Sequence, residues 1–215
     1  MSRSPHVLVP SLLALLVSAC GGSSGGNTSS TPQQLDLSPV ASFTRTITQS
    51  GSVLAAAGIT VGDAAVSAVS DEEHRGFMRF TATPQQLPSG VTIVAATLRF
   101  SQTDVTGDPY NNLGDLLIDN LVDLGGDIDP ADFDAGPNFF ADRVASTTGT
   151  LEEKQVDVSD AVSGQLANGL RDFDFRFRFE APTNDDGADD LATLADPGNL
   201  PVGATAATLV IVFTE

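Results

Sequence analysis

Oxygen-bearing side chains crowd two short stretches of this chain. Asp127, Asp129, Asp132 and Asp134 fall between Gly125 and Gly136, and Asn184, Asp185, Asp186, Asp189 and Asp190 surround Gly187. Calcium takes about six to eight oxygens from carboxylates and carbonyls, and a bound cation relieves the repulsion between crowded acids. Both stretches therefore suit calcium as a cofactor, with Asp185, Asp186, Asp189 and Asp190 as one ligand set and Asp127 and Asp129 from the other. Neither has the spacing of an EF-hand, because position 131 is Ala131 and no Glu follows at the required distance. The same composition also makes ordinary solvated turns, in which Asp and Asn bond their own backbone.

A second chemistry lies in the segment Asp172 to Glu180. Phe173, Phe175, Phe177 and Phe179 alternate with Asp174, Arg176 and Arg178, so on a strand the rings share one face and the two guanidiniums the other. A pair of arginines at i, i+2 on a wet sheet face suits an extended ligand, uronate carboxylates included. The competing reading is pairing across strands with Asp or Glu. Tyr110, within Thr106-Gly107-Asp108-Pro109-Tyr110-Asn111-Asn112, either stacks on a sugar or packs as a cap.

Catalytic signatures are missing. His74 follows Asp71-Glu72-Glu73 and is the sole histidine after His6; no nucleophile elbow, zincin helix or phosphate loop occurs. With 28 acidic residues, no carboxylate pair stands out as a glycosidase dyad. The expectation is a protein without catalytic residues, not an enzyme.

Charge narrows the partners. The chain has 28 acidic and 10 basic residues and a net charge of −18, which excludes nucleic acid and gives no basic patch for anionic lipid. There are twelve Phe, one Tyr and no Trp, so aromatics serve a core more than a binding face. Cys20 is the single cysteine, so no disulfide forms within one chain.

The position of that cysteine is informative. Arg3 and His6 precede an apolar run from Val7 to Val17, about half the length a membrane-spanning helix needs. The run closes on Val17-Ser18-Ala19-Cys20, which resembles the lipobox of bacterial lipoproteins. That resemblance implies cleavage between Ala19 and Cys20, lipid on the Cys20 thiol, and attachment to a membrane through that lipid. The protein is then exported, and in a host with two membranes Gly21 after the cysteine implies the outer one. Residues 1–19 read as signal peptide and 20–34 as the lipidated cysteine with a Gly/Ser-rich flexible tether. Residues 35–215 read as one domain.

In that domain, short alternating runs separated by Gly, Pro, Asn and Asp predict an all-β antiparallel sandwich of jelly-roll type with one short helix. The expected strands are 40–48, 76–82, 91–101, 115–122, 143–148, 154–158, 172–180 and 206–214. The helix is expected after Val158, with Ser159 as N-cap, Val162 and Leu166 facing inward and Gly169 ending it. Arg75-Gly76-Phe77-Met78-Arg79-Phe80 and the stretch Leu87-Pro88-Ser89-Gly90-Val91-Thr92-Ile93-Val94-Ala95-Ala96-Thr97-Leu98-Arg99-Phe100 resemble DNRLRE-type sandwich domains and the related family-96-type carbohydrate-binding modules. Val156 to Val162 and Thr208 to Phe213 resemble later pieces of the same pattern.

The resemblance implies a jelly roll appended to bacterial surface proteins. Together with the tether it points first to a non-catalytic surface module that binds a polysaccharide or other envelope glycan. A structural or adhesive lipoprotein contacting another protein comes second, and a small polysaccharide-active enzyme third.

Overall fold

Alternating apolar and polar residues between turn-forming Gly, Asn and Asp produce strands that pair antiparallel throughout. The computed structural model describes residues 31–54, 58–122, 124–144, 151–198 and 200–215, with the backbone alone for 139–142. Ala19, Cys20, the expected leader and the tether to residue 30 lie outside the described residues.

The strands are β1 (Gln33–Leu37), β2 (Arg45–Thr48), β3 (Val53–Leu54), β4 (Ile59–Ser67), β5 (Ser70–Thr81) and β6 (Thr92–Thr106). Helix α1 (Pro109–Asn112) precedes β7 (Leu116–Leu121), β8 (Phe139–Val144) and β9 (Glu152–Asp157). Helix α2 (Ser159–Ala167) then leads to β10 (Asp172–Phe179), β11 (Asp190–Leu194) and β12 (Thr208–Thr214).

The strand order is β1-β12-β6-β11-β4-β5-β10-β7-β8, with β9 paired to β6, and β2 to β5 and β3. One layer holds β1, β12, β6 and β9; the other holds β2, β5, β10, β7 and β8. β11 and β4 connect them. Phe100 of β6 and Phe177 of β10 belong to strands that share no hydrogen bonds, yet their rings meet edge to face at 5.1 Å, so the layers pack face to face as a sandwich. All four phenylalanines of β10 are buried in this core with Met78, Phe80, Leu98, Leu209 and Ile211.

The all-β sandwich with a short helix after Val158 is the architecture the patterning predicts, and the single turn α1 adds to it. Four strands lie outside the predicted set. β1 carries only Leu35 and Leu37 as apolar residues and begins inside the expected tether; β4 contains Gly62 and Asp63; β3 and β11 are short. β1, β4 and β11 are held by strands distant in sequence and β3 by a short hairpin to β2, rather than by their own alternation. The eighth strand starts at Phe139, earlier than the predicted 143–148.

Helix α2 buries Ala161 and Val162 and ends at Gly169, whose φ is +78°. Its Ser159 is not the N-cap. Val158 occupies that place, and the Ser159 hydroxyl instead accepts the Ala96 N–H at 2.8 Å and donates to Asp157 at 2.6 Å. The edge of β6 needs an acceptor there, which overrides the local capping preference.

Candidate functional site

The expected open arginine face is closed. In β10 Arg176 and Asp174 are buried because residues 124–135 fold over the outer face of β5, β10 and β7. Arg176 sits opposite Asp119 in the register of β10 and β7. Its Nη2 and Nε donate to Asp119 at 2.7 and 3.1 Å, and its Nη1 to the carbonyls of Phe133 at 3.0 Å and Ala135 at 2.7 Å. Arg178 donates Nε to the same Asp119 at 2.8 Å.

One strand over, Arg79 forms a two-pronged pair with Asp174 at 2.6 and 2.8 Å and donates to Gly125 O at 2.7 Å. Arg75 lies 3.9 Å above the Phe133 ring. Phe133 completes a second small core with Ile47, Phe77 and Leu121. The arginines thus hold down a cover through its carbonyls, and cross-strand pairing prevails over ligand display.

The same cover accounts for the first acidic stretch. Asp129 accepts the Ala131 N–H at 2.7 Å, and Asp132 accepts the Asp129 N–H at 2.9 Å, a reciprocal cap on the 3-10 turn Pro130–Asp134. Asp127 is exposed at the edge of the cover.

The second acidic loop is fastened from outside. Buried Asp63 of β4 accepts N–H groups from Asn184 at 3.0 Å and Asp190 at 3.2 Å, and Asp71 accepts that of Gly187 at 3.2 Å. Asp190 is itself buried and accepts from Asp108 N at 2.6 Å and from the amides of Asn112 and Asn184 at 2.8 and 2.9 Å. Asp189 accepts Ala65 N, and Asp186 accepts Ala188 N, both at 2.8 Å. Asp185 is exposed with φ +55°. The Asp186, Asp189 and Asp190 carboxylates are spent on N–H groups and amides, and Asp185 accepts the Thr183 hydroxyl at 3.4 Å. Among the described residues no group of three or more His, Cys, Asp or Glu side chains is arranged to hold a metal ion.

The loop runs close to its neighbours. At Gly62 (φ +129°) an added Cβ would lie 2.0 Å from Asp190 O, and at Gly187 (φ +77°) 2.5 Å from the Ala68 backbone.

Burial, reinforced by the charges of Asp71 and Asp190, pushes the Asp63 carboxyl up to about 6 against the N–H bonds that lower it. A carboxyl whose folded pKa exceeds its unfolded value binds its proton more tightly when folded. Its stabilisation is therefore complete below the ordinary value of 3.8 and is lost as pH rises through about 6. Relative to an Asp63→Asn variant, the protein is expected to lose about 2 kcal/mol of stability as pH rises from about 4.5 to 7.5, at about 1.4 kcal/mol per pKa unit. Urea unfolding of both proteins at each pH reads this difference, and parallel profiles would remove the assignment to Asp63.

Tyr110 packs as a cap. Its ring meets Phe179 edge to face at 5.2 Å, its hydroxyl donates to Gln102, and Lys154 lies 5.2 Å above it. Burial raises its pKa, as expected of a phenol turned inward. His74 bonds Thr60 Oγ1 through Nδ1 at 3.1 Å, and burial holds its pKa below the ordinary value.

The outer face of the opposite layer carries the groove. On β6, Leu98 and Phe100 point into the core, so Thr97 and Arg99 point out. The register aligns Asp36, Val210, Thr97 and Asp157 in one row across β1, β12, β6 and β9, and Thr208, Arg99 and Gln155 in the next. Gln34, Asp36, Arg99, Glu153, Thr205, Ala206, Thr208 and Val210 line a groove of about 290 Å³. Gln34 Nε2 orients Asp36 at 2.8 Å. Ser101 and Thr205 join their hydroxyls at 3.0 Å, and Thr205 N donates to Ser101 Oγ at 3.0 Å, which fixes the rim to β6.

Arg99 stands apart from the other basic side chains. Arg75, Arg79, Arg143, Lys154, Arg176 and Arg178 pair with carboxylates, and Arg45 and Arg171 donate to carbonyls. Among the described basic residues Arg99 alone has a side chain with no hydrogen bond or ion pair, and it is exposed. Where acids outnumber bases 28 to 10, a guanidinium with neither a carboxylate nor a carbonyl partner among the described residues is an exception.

No protein family and no curated protein matches the chain. The groove offers guanidinium and amide donors, two carboxylate acceptors, threonine hydroxyls and the small apolar side chains of Val210 and Ala206. None of these groove residues is among those singled out by sequence. The signal available was the parity of Leu98-Arg99-Phe100, which turns Arg99 outward but does not identify its neighbours.

Proposed function

We propose that this protein is a lipid-anchored, non-catalytic surface module whose sandwich binds a polysaccharide or other envelope glycan in the groove across β1, β12, β6 and β9. The carrying observation is Arg99, which pairs with no described residue and lines a polar groove on a sheet face that no other described element covers. A shallow surface crossing four strands suits an extended ligand, and alternating donors and acceptors match the hydroxyls of a sugar chain. The sandwich fold and the resemblance of its strand patterns to carbohydrate-binding modules agree with this reading, although fold alone does not assign a ligand.

Retardation of the purified full chain in gels containing immobilised polysaccharides tests the reading. Arg99→Gln is expected to weaken the interaction about 10- to 100-fold, because a hydrogen bond to a charged group contributes about 1.5–3 kcal/mol. An exposed substitution of this kind should shift stability by no more than about 0.5 kcal/mol. Unchanged binding by Arg99→Gln, or no retardation on any polysaccharide, would remove the groove from consideration.

A second reading, contact with another protein, draws on the β4–β5 hairpin, whose Val66 and Val69 are 66% and 79% exposed. Loss of a co-purifying partner on Val69→Ser, with Arg99→Gln silent, would favour it.

A further inference from the structure

The groove carries a charge pattern that selects among glycans. Asp36 and Glu153 line it beside Arg99, and Asp157 joins the outward row through its pairing with Thr97. Asp157 is held ionised below its ordinary range, chiefly by the Ser159 hydroxyl and also by its N–H. The face thus presents three carboxylates to one guanidinium on a protein whose overall charge is −18.

Resting on the glycan reading above, we propose that the ligand is a neutral, hydroxyl-rich polysaccharide rather than a polyuronate. A uronate chain repeats its carboxylates along its length. Pairing one of them with Arg99 brings the next ones against Asp36 and Glu153, and such like-charge contacts are strongly unfavourable. An uncharged sugar meets no such opposition. Its vicinal hydroxyls donate short, charge-assisted bonds to Asp36 and Glu153 and accept from Arg99, while its C–H faces rest on Val210 and Ala206. An amino-sugar polymer meets repulsion at Arg99, which lies between Thr208 and Gln155 in the register, and salt-sensitive attraction at Asp36 and Glu153, so its binding is distinguished from that of a neutral chain by its response to salt.

The discriminating variant is the pair Asp36→Asn with Glu153→Gln, which keeps the shape of both side chains and removes their charge. Bonds from a neutral sugar to a carboxylate become weaker bonds to an amide, whereas the obstacle to a uronate disappears. The full chain and this variant would be run through gels of a neutral β-glucan, a polyuronate with and without calcium, and a cationic amino-glycan, at low and at roughly physiological salt.

The expected result is retardation by the neutral glucan, little changed by salt, and weakened about tenfold in the double variant. Preferential retention by the polyuronate, with or without calcium, or a gain of neutral-glucan affinity in the double variant, overturns the neutral-ligand inference and leaves the glycan reading standing. Retention by the amino-glycan alone, lost with added salt, does the same. No retardation by any of the polymers removes both.

Discussion

Replacing Asp119 with alanine is expected to destabilise the protein by about 3–5 kcal/mol, the range for removing one partner of a buried ion pair. Asp119 is fully buried and accepts from both Arg176 and Arg178, so the substitution leaves the Arg176 guanidinium without a counter-charge. Burial already lowers the pKa of Arg176 against the opposing pull of Asp119, and the pairing offsets the cost of burying the charge. For a domain of this size the loss corresponds to a fall in Tm of about 10 °C.

The cover should loosen together with the ion pair. Arg176 also holds Phe133 O and Ala135 O, and limited proteolysis is expected to cut between Gly125 and Gly136 in the variant before it cuts elsewhere. Replacing Arg176 by methionine in the same chain should recover part of the stability, because the uncompensated charge is then gone. A loss below about 1 kcal/mol for Asp119→Ala, with no new cleavage, would show that the arginines do not depend on this carboxylate.

Cys20→Ser is expected to abolish incorporation of labelled palmitate and to release the protein from the membrane fraction. The lipobox resemblance of Val17-Ser18-Ala19-Cys20 implies a thioether formed on sulfur, which a serine hydroxyl does not provide. The acidity of the chain disfavours anionic lipid surfaces, and among the described residues no helix is long and apolar enough to cross a membrane. Equal labelling of the native chain and the variant would defeat the anchor proposal.

The aromatic strand shows how far local pattern reaches. Alternation at Phe173, Phe175, Phe177 and Phe179 identifies a core-facing set, and all four are buried, because side-chain parity along a strand is covalent geometry. The same alternation says that Asp174, Arg176 and Arg178 point away from that core. It carries no information about what lies beyond them. The burial of Asp174 and Arg176 is produced by residues 124–135, about forty or more positions earlier, whose acidic composition reads as a solvated loop and whose Phe133, with Leu124 and Ile128 beside it, anchors the segment.

The groove was illegible for a related reason. Arg99 neighbours Thr208, Gln155, Asp36 and Glu153 only through the pairing of β6 with β12 and β9, and of β12 with β1. β1 itself lay partly in the expected tether. The acidic loop at 184–190 follows the same logic, since the groups that hold it, Asp63 and Asp71, sit over a hundred residues away.

Sequence by itself determined the all-β class, the inward face of the aromatic strand, the position of the short helix and the strongly acidic overall charge. These follow from period, turn chemistry and net charge, properties that each stretch of chain carries alone. The tertiary structure decided which outward face is covered and which stays open, and therefore which arginine faces solvent without a partner. That choice depends on register between distant strands and on where an insert packs, and its energetic terms arise only when those segments meet.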